Sequence, residues 1–396
     1  MKTRKILIIA ADFYPNNTGF SNATLNLVNA VQEYSSHIEV HVFTTVALKN
    51  HEEISTAKVI RYVDKYSKKQ PFATFSKYAK FNFLKSYIYE NQIDLILLET
   101  NTFTILQNLL YKEFKHKLAV RIHSTADTEV LIHEKPSGLP SKIQKKLDTR
   151  FMEQVNNIIS TNNYHLDFVK KWFYKDNVYT IWADKEYFIL PNTMPVSKRA
   201  DIGYQSENYI LTLGKLSRNG YVQKGLKDLL KAIYHLKITK QIPSNFKLKL
   251  VGDGEMRKDL IAYVTKLGVT DYIDFIKETK HEETLDLINK AKAIVLLSRY
   301  EGQSMFITEA LALGKPIIIT RNNGMKDMLV HGKNGFGVDE GDYKEASEAI
   351  IKLYRMNAEE LAEMGRESLA IFDEKFHPEE VAHTFAAILD MINPRD

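Results

Sequence analysis

Residues 293–298 read Ala-Ile-Val-Leu-Leu-Ser, a short run that is apolar at nearly every position. Such a run marks a strand covered on both faces and points to a parallel α/β architecture. A polar elbow follows, Arg299-Tyr300-Glu301-Gly302-Gln303-Ser304. The apolar-rich segment 305–313 then reads as a helix, closed by Gly314, with Pro316 two residues on. Residues 317–319, all isoleucine, form the next buried strand. Two carboxylates belong to this β-loop-α-β unit. Glu301 stands at the carboxyl end of the first strand, and Glu309 eight residues on, in the first turns of the helix. In a parallel sheet, strand carboxyl ends and helix starts line the ligand crevice, where free backbone N–H groups favour an anion.

The same alternation runs along the chain. In the first half, strands are expected at 6–10, 37–44, 94–98, 118–122 and 158–160, and helices over 23–34, 72–91, 140–156 and 164–174. Residues 182–192 read as irregular and end in Leu190-Pro191-Asn192; a linker is expected near 186–206. The pattern then restarts, with strands at 209–213, 246–251, 273–276 and 335–338 besides the two described above. Helices are expected over 226–237, 255–267, 282–291, 344–355, 358–372 and 378–392. At 396 residues the chain exceeds one ordinary core. The expected fold class is α/β, with two doubly wound, Rossmann-like domains facing each other across a cleft. The expected boundaries are 1–190 for the first domain and 191–375 for the second. The helix in 376–396 follows a completed second domain and is expected to cross back onto the first.

Composition narrows the chemistry. The hydrophobic share of 44% and charged share of 26% are those of a soluble globular protein. There is no cysteine, hence no disulfide, thiolate metal site or cysteine nucleophile. No apolar run approaches the ~18 residues of a membrane span. The start, MKTRKILIIAADF, lacks the long apolar region and cleavage site of a signal peptide. A cytoplasmic protein is expected. A net charge of +5 does not call for nucleic acid. The first βα loop has no G-x-G-x-x-G, and the chain has no P-loop, zinc spacing, G-x-S-x-G or D-x-D element.

One local charge imbalance stands out. Between residues 58 and 85 lysines and arginine outnumber the single acid, Asp64, and aromatics including Tyr62, Phe72, Tyr78 and Phe83 are interleaved with them. One reading is a helix with a solvated lysine face and a buried aromatic face. The other is a surface that docks on an anionic membrane, giving a peripheral position on the inner face of the cell membrane.

Several residues could carry chemistry. Lys215 and Lys224 lie in a loop that follows a strand and opens a helix. Two ammonium groups there would bind a diphosphate and stabilise charge developing on it as a leaving group; a solvated loop lysine is the alternative for either. Glu309 could accept bonds from ribose hydroxyls, or serve only the helix dipole. Glu301 could hold sugar hydroxyls or be a solvated carboxylate. His123 ends a strand of the first domain and could bond a substrate hydroxyl, or be an ordinary strand-end histidine.

Taken together these segments resemble a family. Glu301 to Glu309, with Ser304, Met305 and the following Gly314-Lys315-Pro316, resembles the E-x7-E signature of retaining GT-B glycosyltransferases of family 4. Gly214-Lys215-Leu216-Ser217 with Lys224-Gly225 is similar to that family's G-R-L-S-x-x-K-G. Val251-Gly252-Asp253-Gly254 resembles its V-G-x-G turn, Pro191-Asn192 its interdomain P-N, and residues 376–389 its domain-crossing helix. The likeness is dense over 209–320. It implies a GT-B fold and transfer of a hexosyl or N-acetylhexosaminyl group from a nucleotide-diphosphate sugar to a glycan or lipid-linked acceptor. The implied catalytic residues are His123, Lys224 and Glu301. The implied donor-binding residues are Gly19, Lys215, Lys224, Gly252, Gln303, Ser304, Met305, Phe306 and Glu309. UDP-sugar is the first expectation for the donor, and neither a cofactor nor a metal is expected. Three positions depart from the family: Lys215 stands for Arg, Gly19-Phe20 for Gly-Gly, and Phe275-Ile276-Lys277 for F-x-G.

The resemblance further implies a direct retaining transfer in which the departing phosphate takes the acceptor proton. By analogy the product is a surface glycan such as capsule, teichoic acid or lipopolysaccharide. A sugar-nucleotide epimerase of the same fold and a non-catalytic partner of another transferase are the competing readings.

Overall fold

The computed structural model describes residues 3–394 except 17, 49–52, 54, 64–71, 100–103, 124–145, 148–149, 174–184, 197–205, 278 and 322. The chain divides into two compact units, Met1–Pro195 together with Pro378–Asp396, and Val196–His377.

The described strands of the first unit are β1 (Arg4–Ala10), β2 (Ile38–Thr44), β3 (Lys58–Arg61), β4 (Leu95–Glu99), β5 (Leu118–Ile122), β6 (Asn157–Ser160) and β7 (Glu186–Ile189). They pair in parallel in the order β3-β2-β1-β4-β5-β6-β7. The order reverses direction between β1 and β4, which makes the carboxyl ends of those strands a topological switch point. Strand β1 shows why the sheet is buried on both faces. Ile6, Ile8 and Ala10 enter one apolar cluster, and Leu7 and Ile9 enter the other.

Helix α1 (Gly19–Tyr34) starts at Thr18, whose side chain accepts a bond from the Ser21 N–H. It covers one sheet face through Leu27, Val28 and Val31. Helices α2 (Phe72–Glu90), α3 (Thr104–Phe114) and α4 (Asn163–Phe173) follow. On α2, Ser76, Lys80, Leu84 and Ile88 fall in line at four-residue spacing and are buried. Tyr78, Phe83 and Tyr89 are exposed. The expected buried aromatic face is present only in part: Phe81 and Tyr87 pack against the core, while Lys80 lies in the packed stripe and Tyr78, Phe83 and Tyr89 point to solvent. The rest of that basic segment, 64–71 and the side chains of 72–75, lies outside the described residues.

Two further sequence expectations change. Residues 186–189, read as irregular, are strand β7, hydrogen-bonded along β6; only four residues long and stopped by the nearby Pro191, the strand has too little pattern to stand out. The helix expected over 140–156 is helical at 146–147 and 150–154, while 140–145 and 148–149 lie outside the described residues.

The second unit repeats the scheme. Its strands are β8 (Ile210–Leu213), β9 (Leu248–Val251), β10 (Ile273–Ile276), β11 (Ala293–Leu296), β12 (Ile317–Thr320) and β13 (Gly335–Val338). They are parallel in the order β10-β9-β8-β11-β12-β13. The switch point lies between β8 and β11, at the carboxyl ends that carry Lys215 and Glu301. Its helices are α5 (Arg218–Gln223), α6 (Leu226–Ile238), α7 (Arg257–Leu267), α8 (His281–Lys290), α9 (Met305–Ala312), α10 (Tyr343–Arg355) and α11 (Ala358–Lys375). Helix α9 is buried at every residue, which explains its lack of an amphipathic stripe.

After His377 the chain returns to the first unit as α12 (Pro378–Ile392). Val381, Ala382, Phe385, Ile388 and Leu389 share one helical face and join the cluster built on α1 and β1. Arg4 fixes the end of this helix, donating from Nη2 to the Asn393 carbonyl at 2.6 Å and pairing with Asp390 at 3.1 Å. Among the described residues, no helix is long and apolar enough to cross a membrane.

Candidate functional site

In the second unit the site is built where β8 and β11 end. The chain after β8 is pinned to the turn after β9. Gly214 N donates to Val251 O at 3.0 Å, Leu216 N donates to Asp253 O at 3.0 Å, and Met256 N donates to Leu216 O at 2.8 Å. Gly252 permits this. Its φ is +154°, and a Cβ there would stand 2.0 Å from the Gly214 carbonyl oxygen. Gly252 thus sets the shape of the loop that carries Lys215. The Lys215 side chain is exposed and forms no ion pair among the described residues.

Helix α6 begins against the carboxyl end of β11. Gly225 has φ +60°, and a Cβ on it would lie 2.0 Å from the Leu297 carbonyl oxygen. Only glycine allows this approach, and it brings Lys224 beside the elbow at residues 298–302. Three bonds lock the two segments together. Arg299 N donates to Gln223 O at 2.8 Å, Gln223 Nε2 donates to Tyr300 O at 3.2 Å, and Arg299 Nη2 bonds the buried Asp228 at 2.8 Å.

Lys224 Nζ donates to Glu301 Oε1, and Ser298 Oγ donates to the same oxygen at 2.9 Å. The Gly324 N–H bonds the Glu301 carbonyl at 3.0 Å, and Asn323 Nδ2 bonds the Ser298 carbonyl at 2.9 Å. Glu301 is buried, so it is not the solvated loop carboxylate that a polar elbow suggested. Ser304 stands at the N-cap position of α9, followed by Met305 and Phe306, all three buried. Gln303 Nε2 reaches Thr308 Oγ1 at 3.3 Å. The first N–H groups of α9 lack intrahelical partners by construction, which makes that end an anion-favouring one. Glu309 is also buried, and the His281 Nδ1, from the start of α8, lies 3.8 Å from its Oε1. His281 escaped sequence reasoning because it lies in a different βα unit.

In the first unit, His123 follows β5 with its side chain 9% exposed. Its Nε2 is 2.6 Å from Glu99 Oε2 at the end of β4. Glu99 Oε1 accepts from Arg121 Nη1 at 3.3 Å, and Arg121 Nη2 donates to Asn192 Oδ1 at 2.8 Å. Glu99 and Arg121 are fully buried. The Phe20 ring, from the first turn of α1, lies 4.6 Å from the imidazole. Burial pushes the His123 pKa down against the pull of Glu99, whose own pKa is held low, despite its burial, by His123 and Arg121. Gly19 opens α1, and a Cβ there would meet nothing within 4 Å, so no crowding demands glycine. Glu99 and Arg121 are functional candidates that the sequence patterns left unmarked. A glutamate ending an otherwise apolar strand was the available signal.

The fold thus joins Lys224 to Glu301, seats Gln303, Ser304, Met305 and Phe306 at the start of α9, and sets Glu309 beside His281. Each unit has its polar residues at strand carboxyl ends. Among the described residues no group of three or more His, Asp or Glu is placed to hold a metal ion.

Comparison with solved structures shows the fold. Sucrose-phosphate synthase from Thermosynechococcus elongatus superposes with a TM-score of 0.73 at 16% identity, over 98% of this chain and 99% of that one. HepE of Anabaena, solved with UDP and glucose, superposes with a TM-score of 0.66 at 16% identity, over 98% and 99%. In sequence, an uncharacterized glycosyltransferase of Methanocaldococcus jannaschii is 32% identical over 154 residues, 39% of this chain. The lipopolysaccharide core biosynthesis glycosyltransferase LpsE of Rhizobium meliloti is 32% identical over 149 residues, 37% of this chain. The match spans 41% of the length of each of these relatives. The fold is GT-B, and residues 197–369, which hold Lys215, Lys224, Glu301 and Glu309, match the family model of glycosyl transferases group 1.

Proposed function

We propose that this chain is a retaining glycosyltransferase that moves a sugar from a nucleotide-diphosphate sugar to a hydroxyl of a glycan or lipid-linked acceptor. The observation that carries the reading is the Lys224–Glu301 bond at the switch point of the second unit, with Glu309 eight residues further on. The family match over 197–369 supports it, since that region contains all three residues.

An ammonium group has three donors, so Lys224 can keep Glu301 while bonding a diphosphate oxygen. Lys215 and the first N–H groups of α9, from Met305 and Phe306, add positive potential at the same end of the sheet. Glu309 accepts from the ribose hydroxyls. Glu301, oriented by Ser298 and Lys224, accepts from hydroxyls of the donor sugar. The bond from the anomeric carbon to the phosphate oxygen breaks, and the acceptor oxygen bonds that carbon on the same face. The acceptor proton passes to the departing phosphate oxygen. Leaving-group charge is met by fixed cations and dipoles, whose value is greatest when they need no reorganisation.

The donor we favour is a UDP-sugar, in keeping with the UDP in the HepE structure. A hexosyl or N-acetylhexosaminyl group is transferred, with lysines supplying the charge at the diphosphate and no divalent ion required. LpsE favours a product in surface polysaccharide, and the exposed Tyr78 and Phe83 of α2 favour peripheral contact with an anionic membrane.

The test is incubation with labelled UDP-, GDP- and ADP-sugars, with and without glycan or lipid acceptors, followed by NMR of the product linkage. A product with the anomeric configuration of the donor is expected, and its yield should survive EDTA. Conversion of the sugar-nucleotide without acceptor identifies an epimerase instead. A trapped covalent sugar on Glu301 excludes the direct route.

A further inference from the structure

Helix α3 and the helical residues 150–154 pack into the same apolar cluster of the first unit, through Leu106, Leu110 and Phe114 on one side and Phe151 and Met152 on the other. Their solvent sides leave a groove of about 510 Å³ between them. We infer that this groove is a binding site for one anionic phospholipid of a membrane surface, with an acyl chain on Ile105, Leu109 and Leu147 and the phosphate met by Lys112, Lys115 and Arg150. The site is discrete and lies off the exposed aromatics of α2. It does not depend on the transferase reading.

The groove is already formed. Tyr111 Oη donates to the Gln154 carbonyl at 2.7 Å, and its ring meets Phe151 edge-on with centroids 6.2 Å apart. Asn108 Nδ2 reaches the Leu147 carbonyl at 3.4 Å. The walls are thus tied to each other at two places, which lowers the cost of ordering them around a ligand. The volume falls within the roughly 300–1,000 Å³ of small-molecule sites.

Its polarity follows the helix period. Ile105, Leu109 and Lys112 stand at i, i+4 and i+7 of α3, so one helical face runs from apolar to cationic, and Lys115 extends that line. Ile105, Leu109 and Leu147 are half-buried, whereas Lys112, Lys115 and Arg150 are exposed. These three cations make no ion pair or hydrogen bond with any described residue. Among the described residues no acidic side chain lines the groove. Glu113, the one acid of α3, instead bonds Lys85 and Tyr89 of α2.

Three unpaired cations beside an apolar strip match a ligand that is anionic at one end and apolar at the other. A small anion would leave the strip wet, and a neutral chain would leave the cations unmatched. Lys112 and Lys115 also complement the carboxyl end of α3. That role explains neither Arg150 nor the strip. Lysine and arginine stems lie well along acyl chains, and an anionic leaflet attracts such a cluster.

The test is calorimetric titration of the full chain with dihexanoyl-phosphatidic acid kept monomeric, below its micelle concentration. Dihexanoyl-phosphatidylcholine and glycerol 3-phosphate serve as the probes without net charge and without chains. Saturable binding of one phosphatidic acid is expected, at least tenfold tighter than either. Lys112→Gln/Lys115→Gln/Arg150→Gln should weaken it about tenfold or more, as for lost bonds to a charged group. Leu109→Gln should weaken it as well, with the fold of both variants checked by circular dichroism. Lys258→Gln/Lys266→Gln/Lys344→Gln, an equal charge loss in the second unit, should leave it unchanged. Equal binding of phosphatidylcholine or of glycerol 3-phosphate overturns the inference, as does an equal loss in both triple variants. Capture of a Leu/Glu amphipathic peptide without capture of phosphatidic acid makes the groove a protein-docking face and overturns it. So does a dimer in sedimentation that the first triple variant dissociates.

Discussion

Lys224 and Glu301, 77 residues apart in sequence, are bonded directly through Nζ and Oε1. The contact exists because Gly225 lets α6 start against the Leu297 carbonyl. It ties the cation that would hold a leaving diphosphate to the carboxylate that would hold the sugar.

Lys224→Met should weaken nucleoside-diphosphate binding about 10- to 100-fold, the range for one bond to a charged group. Lys224→Arg should recover part of this, since charge returns but the compact ammonium does not. Titration calorimetry of the three proteins checks both statements.

Glu309→Gln should cost about tenfold in affinity for the ribonucleotide and much less for its 2′-deoxy analogue. Equal losses for the two nucleotides would mean that Glu309 does not read the ribose.

Gly225→Ala should destabilise the protein by at least ~1 kcal/mol, since alanine is disfavoured at φ +60° and its Cβ would meet the Leu297 oxygen at 2.0 Å. Urea unfolding measures this. Donor affinity should fall as well, because Lys224 would lose its register with Glu301.

The architecture was legible in the sequence for a simple reason. Buried parallel strands such as 293–298 and 317–319 are continuous apolar runs, and their helices are bounded by glycine and proline. The carboxyl-end loops, with Lys215, Lys224 and Glu301, could be located from the same pattern. What escaped were contacts between βα units and charges inside the first sheet. Glu99 and Arg121 carry only a faint local mark, a charge in an otherwise apolar strand, and the partners of Arg121 lie 22 and 71 residues away. Strand β7 was hidden by its length and by Pro191. On helix α2 the buried line, Ser76-Lys80-Leu84-Ile88, is half polar, so hydrophobic patterning does not mark it.

Stability should fall as pH drops below neutrality. Burial, with His123 nearby, pushes the His165 pKa down to about 4, against about 6.5 unfolded. Between those values the unfolded chain binds a proton that the folded one does not, so unfolding free energy rises with pH in that window and is lost on acidification. The loss amounts to roughly 3 kcal/mol by pH 4. Both tryptophans, Trp172 and Trp182, fall within Met1–Pro195, so their fluorescence reports the relevant unit. His165→Phe should flatten the dependence.

Co-sedimentation with vesicles tests the membrane surface. Binding should rise with anionic lipid and drop about 30-fold or more in Lys58→Glu/Lys77→Glu, at about 1 kcal/mol per lysine. No dependence on anionic lipid removes the membrane from the account.

We propose above all that the second unit binds a nucleotide-sugar through Lys224, Glu301 and Glu309. The most direct test is calorimetric titration of the full chain with UDP, GDP and ADP and their sugars, repeated with Lys224→Met. Saturable binding of one nucleotide series, UDP first, is expected, strongly reduced in the variant. At a ligand concentration of 100 Kd that binding should stabilise the fold by ~2.7 kcal/mol. Absence of binding by every nucleotide, or equal binding by wild type and variant, would contradict it.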